Sequence, residues 1–243
     1  MDNRPFRIQL EIVGLQVGMP RTHGHADAVA PMDREWTSGF FKEPVEGPLW
    51  VTHTGITGDG QADLIHHGGP DKALNVYPWE HYAGWSSELG LELPAAAFGE
   101  NLTTRGLTEE TVCVGDVFGL GDLRLQITQP RQPCWKLSRR WRIRDLAARV
   151  ERTGRTGWYF RVLTEGSIQS GTLLDLIERP HPDWSITAAN EVMHQQKGGD
   201  VRALELAGID ALSASWKVSL TRRVAGGSVD RNERLQGPGH EAG

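Results

Sequence analysis

Residues 111–140 read TVCVGDVFGLGDLRLQITQPRQPCWKLSRR, and their pattern decides the fold class. From 123 to 128, Leu123, Leu125 and Ile127 alternate with Arg124, Gln126 and Thr128, the period of two expected of a half-buried strand. Residues 111–119 read as a further strand, with glycines at 115 and 121 marking turns. Pro133 then fixes φ and removes a backbone donor, which suits the first turn of a short helix through CWKLSRR. Cys134 falls at the N-terminal end of that helix, among Arg131, Lys136, Arg139 and Arg140.

Outward from this stretch the same texture recurs. Phe6, Ile8, Leu10 and Ile12 alternate with polar residues, and 49–53, 73–77, 158–163 and 173–178 read as strands. Short strands with glycine turns favour a barrel or sandwich over a doubly wound sheet. Residues 78–90 form a helix opened by Pro78 and closed by Gly90. Residues 145–154 form another, with Asp145 as N-cap and Gly154 as terminator. The polar, mixed segment 19–42 reads as a loop. After ERPHPDW (178–184) three short helical pieces are expected, at about 185–196, 200–207 and 212–224, with Ser185 as the first N-cap. None has enough apolar residues to fold alone. The organisation is therefore a β-rich domain over 1–180, a small helical unit over 181–224, and a glycine-rich polar tail over 225–243 expected to be disordered.

The chain has 243 residues and a formal charge of −5, with 38% hydrophobic residues. That is enough apolar content for a sizeable core without metal or disulfide support. The acidic balance argues against general nucleic-acid binding. No apolar run is long enough to span a bilayer, and the N-terminus lacks the basic start and apolar core of a secretory signal. Two cysteines point to thiols in a reducing, cytoplasmic setting.

A thiol among cations at a helix start is biased toward thiolate, the form that attacks electrophiles and binds soft metals. Three readings of Cys134 stay open on local sequence: an incidental cysteine, a catalytic Cys–His pair with His53, His66, His67 or His81 as base, or a metal ligand. Zinc is disfavoured, because no CxxC or HxxxH spacing is present. Cys113 alternates with apolar neighbours and reads as a small buried hydrophobe. Three other stretches carry polar chemistry. Residues 55–82 combine glycines with Lys72, which suits an anion, but match neither the Walker nor the dinucleotide pattern. FGENLTTRGL (98–107) places Asn101 beside a glycine, and GRTGWYFRVL (154–163) places Arg155 between two.

Taken in order, GDGQADLIHHGGPDKALNVYPWEHY, FGENLTTRGL, VGDVF, QPRQPCWKL and GRTGWYFRVL resemble a MOSC domain, the family named for the C-terminal domain of molybdenum-cofactor sulfurase. The resemblance is to its YiiM-like bacterial branch and covers most of residues 6–180; the helices after 180 resemble the three-helix unit of that branch. It implies a mostly β fold with flanking helices, a partly open barrel carrying the helical appendage. It also implies a molybdenum cofactor (molybdopterin) whose metal is held by Cys134, and reduction of small N-hydroxylated compounds such as hydroxylaminopurine-type base analogues. Electrons would come from an external flavin or iron–sulfur reductase, since the chain has no motif for either group. Pyridoxal phosphate, nucleic acid and membrane are not expected partners; a homodimer is an expected assembly.

Within that resemblance, a protein thiolate would complete a soft sulfur set around the metal. Arg131, Arg155 and Lys72 are candidates for the cofactor phosphate, and Asn101 for orienting cofactor or substrate. Asp116, His66 and His67 are candidate proton relays, although VGD at 114–116 also reads as an ordinary turn. A carrier that binds the cofactor without turnover and a cofactor-free cysteine enzyme are the alternatives.

Overall fold

The computed structural model describes residues 7–63, 68–195, 198–227 and 231–237. The strands are β1 (Gln9–Val17), β2 (Arg21–His23), β3 (Trp36–Ser38), β4 (Glu43–Pro44), β5 (Leu49–Thr52), β6 (Gly55–Ile56), β7 (Leu74–Pro78), β8 (Leu102–Arg105), β9 (Val117–Leu120), β10 (Leu123–Pro130), β11 (Trp158–Thr164), β12 (Gly166–Ile168) and β13 (Leu173–Glu178). The helices are α1 (Tyr82–Leu89), α2 (Trp135–Trp141), α3 (Leu146–Thr153), α4 (Ile186–Gln195), α5 (Gly199–Ala207), α6 (Ala214–Val224) and α7 (Asn232–Gln236).

Seven strands pair in the order β13-β9-β10-β11-β7-β8-β1, and β1 pairs back onto β13, so the expected partly open barrel is a closed ring. Closure removes the sheet edges that would otherwise expose backbone donors and acceptors. All pairs in the ring are antiparallel except β7–β8, where the connection runs through α1. Alternation puts Leu10, Ile12, Leu125, Ile127, Phe160 and Leu174 into the interior, where each is fully buried. A second apolar cluster of Tyr77, Trp85, Phe98, Leu137, Leu146 and Val150 packs α1, α2 and α3 against the outside of the ring.

The appended helices share the barrel's core. Trp184, Ile186, Leu206, Trp216 and Leu220 belong to the same apolar cluster as the strand residues. Polar ties reinforce the junction: the Ala214 amide donates to Asp71 at 3.0 Å and the Asn190 amide to Thr156 Oγ1 at 3.0 Å. Ser185 Oγ accepts from the Ala188 amide at 3.1 Å, as a residue capping the helix start should. Asp145 occupies the corresponding place before α3, but its carboxylate binds Arg149 instead of capping.

Three segments depart from the sequence expectation. The strand foreseen over 111–119 begins only at Val117. Gly115 adopts φ +89°, and the Asp116 carboxylate accepts from the Cys113 amide at 2.9 Å. That local bond builds a turn in place of a ladder. The 19–42 segment is not simply a loop. It forms the β2–β3 hairpin, whose Trp36 and His23 pack with Phe41, and Trp36 reaches Trp135 of α2 edge-on. In the tail, α7 is ordered and docks beside α2 and α3, because Arg231 and Arg234 both bind the buried carboxylate of Glu151. Among the described residues no helix is long and apolar enough to cross a membrane.

Candidate functional site

A cleft of about 600 Å³, its open mouth included, lies where the β2–β3 segment, the 59–63 loop, the 99–101 loop and the β10–α2 connection meet. Cys134 lines it. The residue is 5% exposed and is the N-cap of α2, with extended backbone angles (φ −126°, ψ 167°) that turn the chain from β10 into the helix. Its carbonyl accepts from the Leu137 amide at 3.0 Å. Three residues before it in the motif stands Arg131, whose amide donates to the Gly157 carbonyl at 3.0 Å. That carbonyl is available because Gly157 takes φ +70°, and a Cβ there would run into the Val76 carbonyl.

Arg131 is 3% exposed, yet its Nη1 has no hydrogen-bond partner within the protein. A buried cationic donor left without an acceptor is costly unless something else supplies one. Lys72, Lys136 and Lys42 line the same cleft. Burial lowers the Lys72 pKa, opposed by Asp71 and Asp63. Lys42 is more deeply held. It pairs with Asp59, whose carboxylate also accepts from the Gly18 amide at 2.8 Å and from Gln61 at 3.3 Å. Burial lowers the Lys42 pKa, and Asp59 opposes the shift. Phe40 and Tyr159 supply the aromatic part of the lining. Burial raises the Tyr159 pKa, opposed by the Arg131 charge.

Of the residues singled out from sequence, Cys134, Arg131, Lys72 and Asn101 come together in this cleft. Asn101 is also a brace: its Oδ1 accepts from the Asn75 amide at 3.1 Å and its Nδ2 donates to the Gln16 carbonyl at 3.3 Å. Arg155 is elsewhere, paired with Glu88 at 2.8 Å and lying 3.7 Å over the Trp85 ring. Asp116 is fully buried outside the cleft, with both oxygens bound by Arg179 at 2.6 and 2.9 Å. His53 faces the Val162 carbonyl at 2.9 Å, and His81 binds Glu109 at 2.6 Å; neither lines the cleft. His66 and His67 lie outside the described residues.

Sequence reasoning passed over Lys42, Asp59 and Phe40. One signal was present: a segment read as loop carries Trp36, Phe40 and Phe41, and large aromatic residues rarely stay in solvent. It also missed Arg234 of the tail. That side chain donates to the Pro133 carbonyl as well as to Glu151. Burial lowers its pKa to about 10, the neighbouring Cys134 opposes the shift, and Arg131 adds to it.

Comparison with known proteins gives two family matches, the MOSC domain over residues 63–174 and the YiiM-like 3-alpha helix domain over residues 184–227. The uncharacterized protein YflK of Bacillus subtilis is 40% identical over 212 residues, which is 87% of this chain and 93% of that protein. A protein of Gibberella moniliformis named a reductase is 39% identical over 163 residues; these are 65% of this chain but 29% of that much longer protein. Among solved structures, YiiM from Geobacillus stearothermophilus superposes with a TM-score of 0.74 at 36% identity, covering 88% of this chain and 99% of the other.

Proposed function

The chain belongs to the MOSC family, in its YiiM-like branch, and from that premise we propose that it binds a molybdenum cofactor in the cleft through Cys134 and reduces small N-hydroxylated compounds. The observation that carries this reading is the donor set around Cys134. A soft sulfur stands beside a buried guanidinium with an unmet N–H, and three lysines share the same walls. Among the described residues no three His, Cys, Asp or Glu side chains gather as a metal cage would require. On the described residues, a metal held here would bring most of its own ligands, as a pterin dithiolene does, and the protein would add one thiolate.

The residues fit that group. Cys134 would ligate the metal, and Arg131 would give its unmet Nη1 to an anionic oxygen of the pterin side. Lys72 would contribute as a point charge. When bound, the cofactor supplies two-electron redox chemistry and Lewis acidity. The chain's own share is binding, orientation and exclusion of water. Phe40 and Tyr159 form apolar walls against which a planar substrate can lie, and Lys42 Nζ, fixed by Asp59, presents N–H groups at a set place in the cleft wall. Asp116 is engaged with Arg179 and Cys113 and does not serve as a relay; His66 and His67 stay as proposed proton carriers. Electrons would arrive from a separate flavin or iron–sulfur protein in a reducing, cytoplasmic compartment. The name of the Gibberella protein supports reduction as the reaction type.

Expression with a cofactor supply, followed by molybdenum and pterin analysis of wild type and Cys134→Ala, tests the assignment. The variant is expected to lose at least about nine-tenths of its molybdenum with a thermal midpoint within about 2 °C of wild type, since only one sulfur is removed. Equal metal in both proteins refutes it. Metal-loaded wild type that turns over no N-hydroxylated compound with any reductant would make the protein a carrier.

A further inference from the structure

The tail segment 231–237 lies beyond both family matches, which end at residues 174 and 227, yet it touches the residues on either side of Cys134. Upstream, Arg234 Nη1 donates to the Pro133 carbonyl. Downstream, Gly237 packs so tightly on Trp135 that a Cβ at 237 would stand 3.0 Å from the indole Cγ. The segment is anchored from below: Glu151 on α3 is 3% exposed and binds both Arg231 and Arg234.

We infer that α7 is a strap that sets the orientation of Cys134 in the cleft, with Arg234 as the positioning residue. The inference rests on Cys134 being the metal-holding residue of the function proposed above. The physical reason is geometric. The Pro133 carbonyl belongs to the peptide that leads into Cys134, and rotation of that peptide swings the Cys134 backbone and its sulfur. Proline already fixes its own φ. A guanidinium bonded at once to that carbonyl and to a buried carboxylate removes the remaining freedom, because its planar fork holds both acceptors in one geometry. Contact of Gly237 with Trp135 then closes the other side. A ligand that must meet a metal from one direction gains from such preorganisation.

The test uses the full-length protein without cofactor and follows alkylation of Cys134 by iodoacetamide, read by peptide mass spectrometry. Cys113 is the internal reference: it is 3% exposed and sits at the remote bridge to Ser185. Arg234→Gln is expected to accelerate Cys134 alkylation by about tenfold or more, through local opening, with Cys113 unchanged. Arg234→Lys keeps one bond and should fall between, and Glu233→Gln, on the exposed side of the same helix, should match wild type. If Arg234→Gln does not fold, Glu151→Gln reads the same strap from its anchor. An unchanged Cys134 rate, or equal acceleration of both cysteines, overturns the inference. In cofactor-supplied cells, Arg234→Gln should also retain at least about fivefold less molybdenum per chain than Glu233→Gln. A wild-type protein that takes up no molybdenum defeats the proposed function, while the alkylation rates still decide the strap.

Discussion

Asp59→Asn isolates the ion pair in the cleft wall. Asp59 and Lys42 have side-chain exposures of 1% and 6%, so neither can turn to bulk water when the other is neutralised. The aspartate accepts from the Lys42 ammonium, the Gly18 amide and Gln61. Asparagine keeps one acceptor oxygen and presents an NH₂ group to donors. A charge-assisted bond contributes about 2 kcal/mol and a neutral one about 1 kcal/mol, so the loss should be about 3 kcal/mol. In a domain of this size that corresponds to a fall in thermal midpoint of roughly 6–12 °C. The pH dependence has a definite sign. Lys42 in the folded protein has its pKa lowered from 10.5, mainly by burial. Between that lowered value and 10.5 the unfolded chain binds more protons, so stability from this group rises with pH. Without Asp59, which holds the pKa up, the window opens at lower pH. The gap between variant and wild type should therefore narrow as pH rises from 7 towards 10. Urea denaturation across that range measures both quantities. A loss below about 1 kcal/mol at pH 7, or a gap that widens with pH, would refute the reasoning.

Two other perturbations probe the scaffold. Glu100, fully buried, accepts from the hydroxyls of Tyr82 and Thr103 and the amides of Ala96 and Phe98. Burial and then the Glu100 charge push the Tyr82 pKa up, so its proton stays in the bond. Glu100→Gln sets a donor against donors and should cost about 2–3 kcal/mol in chemical denaturation; a cost under about 0.5 kcal/mol contradicts the network. His194 has its pKa lowered to about 3 by burial and by Arg234 and Arg223. The unfolded chain takes up that proton from 6.5 downward while the folded one does not. Stability is therefore whole above 6.5 and falls as pH drops towards 3, by about 1.4 kcal/mol per pH unit from this group. Midpoints recorded from pH 7 to pH 4 should fall less steeply in His194→Gln, and parallel curves would exclude His194 as the cause.

Much was legible in the sequence because it depends on local repetition or on a long ordered set of motifs. Alternation of two located β10 closely, since a strand with one face in the core must alternate. Gly90 and Gly154 marked the C-terminal ends of α1 and α3, whereas Pro78 closes β7 and α1 begins only at Tyr82; the cysteine motif led to one wall of the cleft. Local reading failed where a distant partner decided the outcome. Val112 and Val114 are buried and alternate as a strand would, but the Asp116 carboxylate and Gly115 make a turn of them. Arg155 sits in as polar a motif as Arg131, yet Glu88 and the face of Trp85 hold it away from the cleft.

The sequence by itself determined the β-rich class, the helical appendage and the place of Cys134 at a helix start among cations, because strand period, turn residues and local charge are properties of neighbours along the chain. Only the tertiary structure decided that the ring closes, that Lys42 and Asp59 share the cleft, and that Arg234 reaches the Pro133 carbonyl from 101 residues downstream. Those contacts are selected by burial: a charge taken out of water must find its counterpart wherever the fold has brought one, and nothing in local spacing records which counterpart that will be.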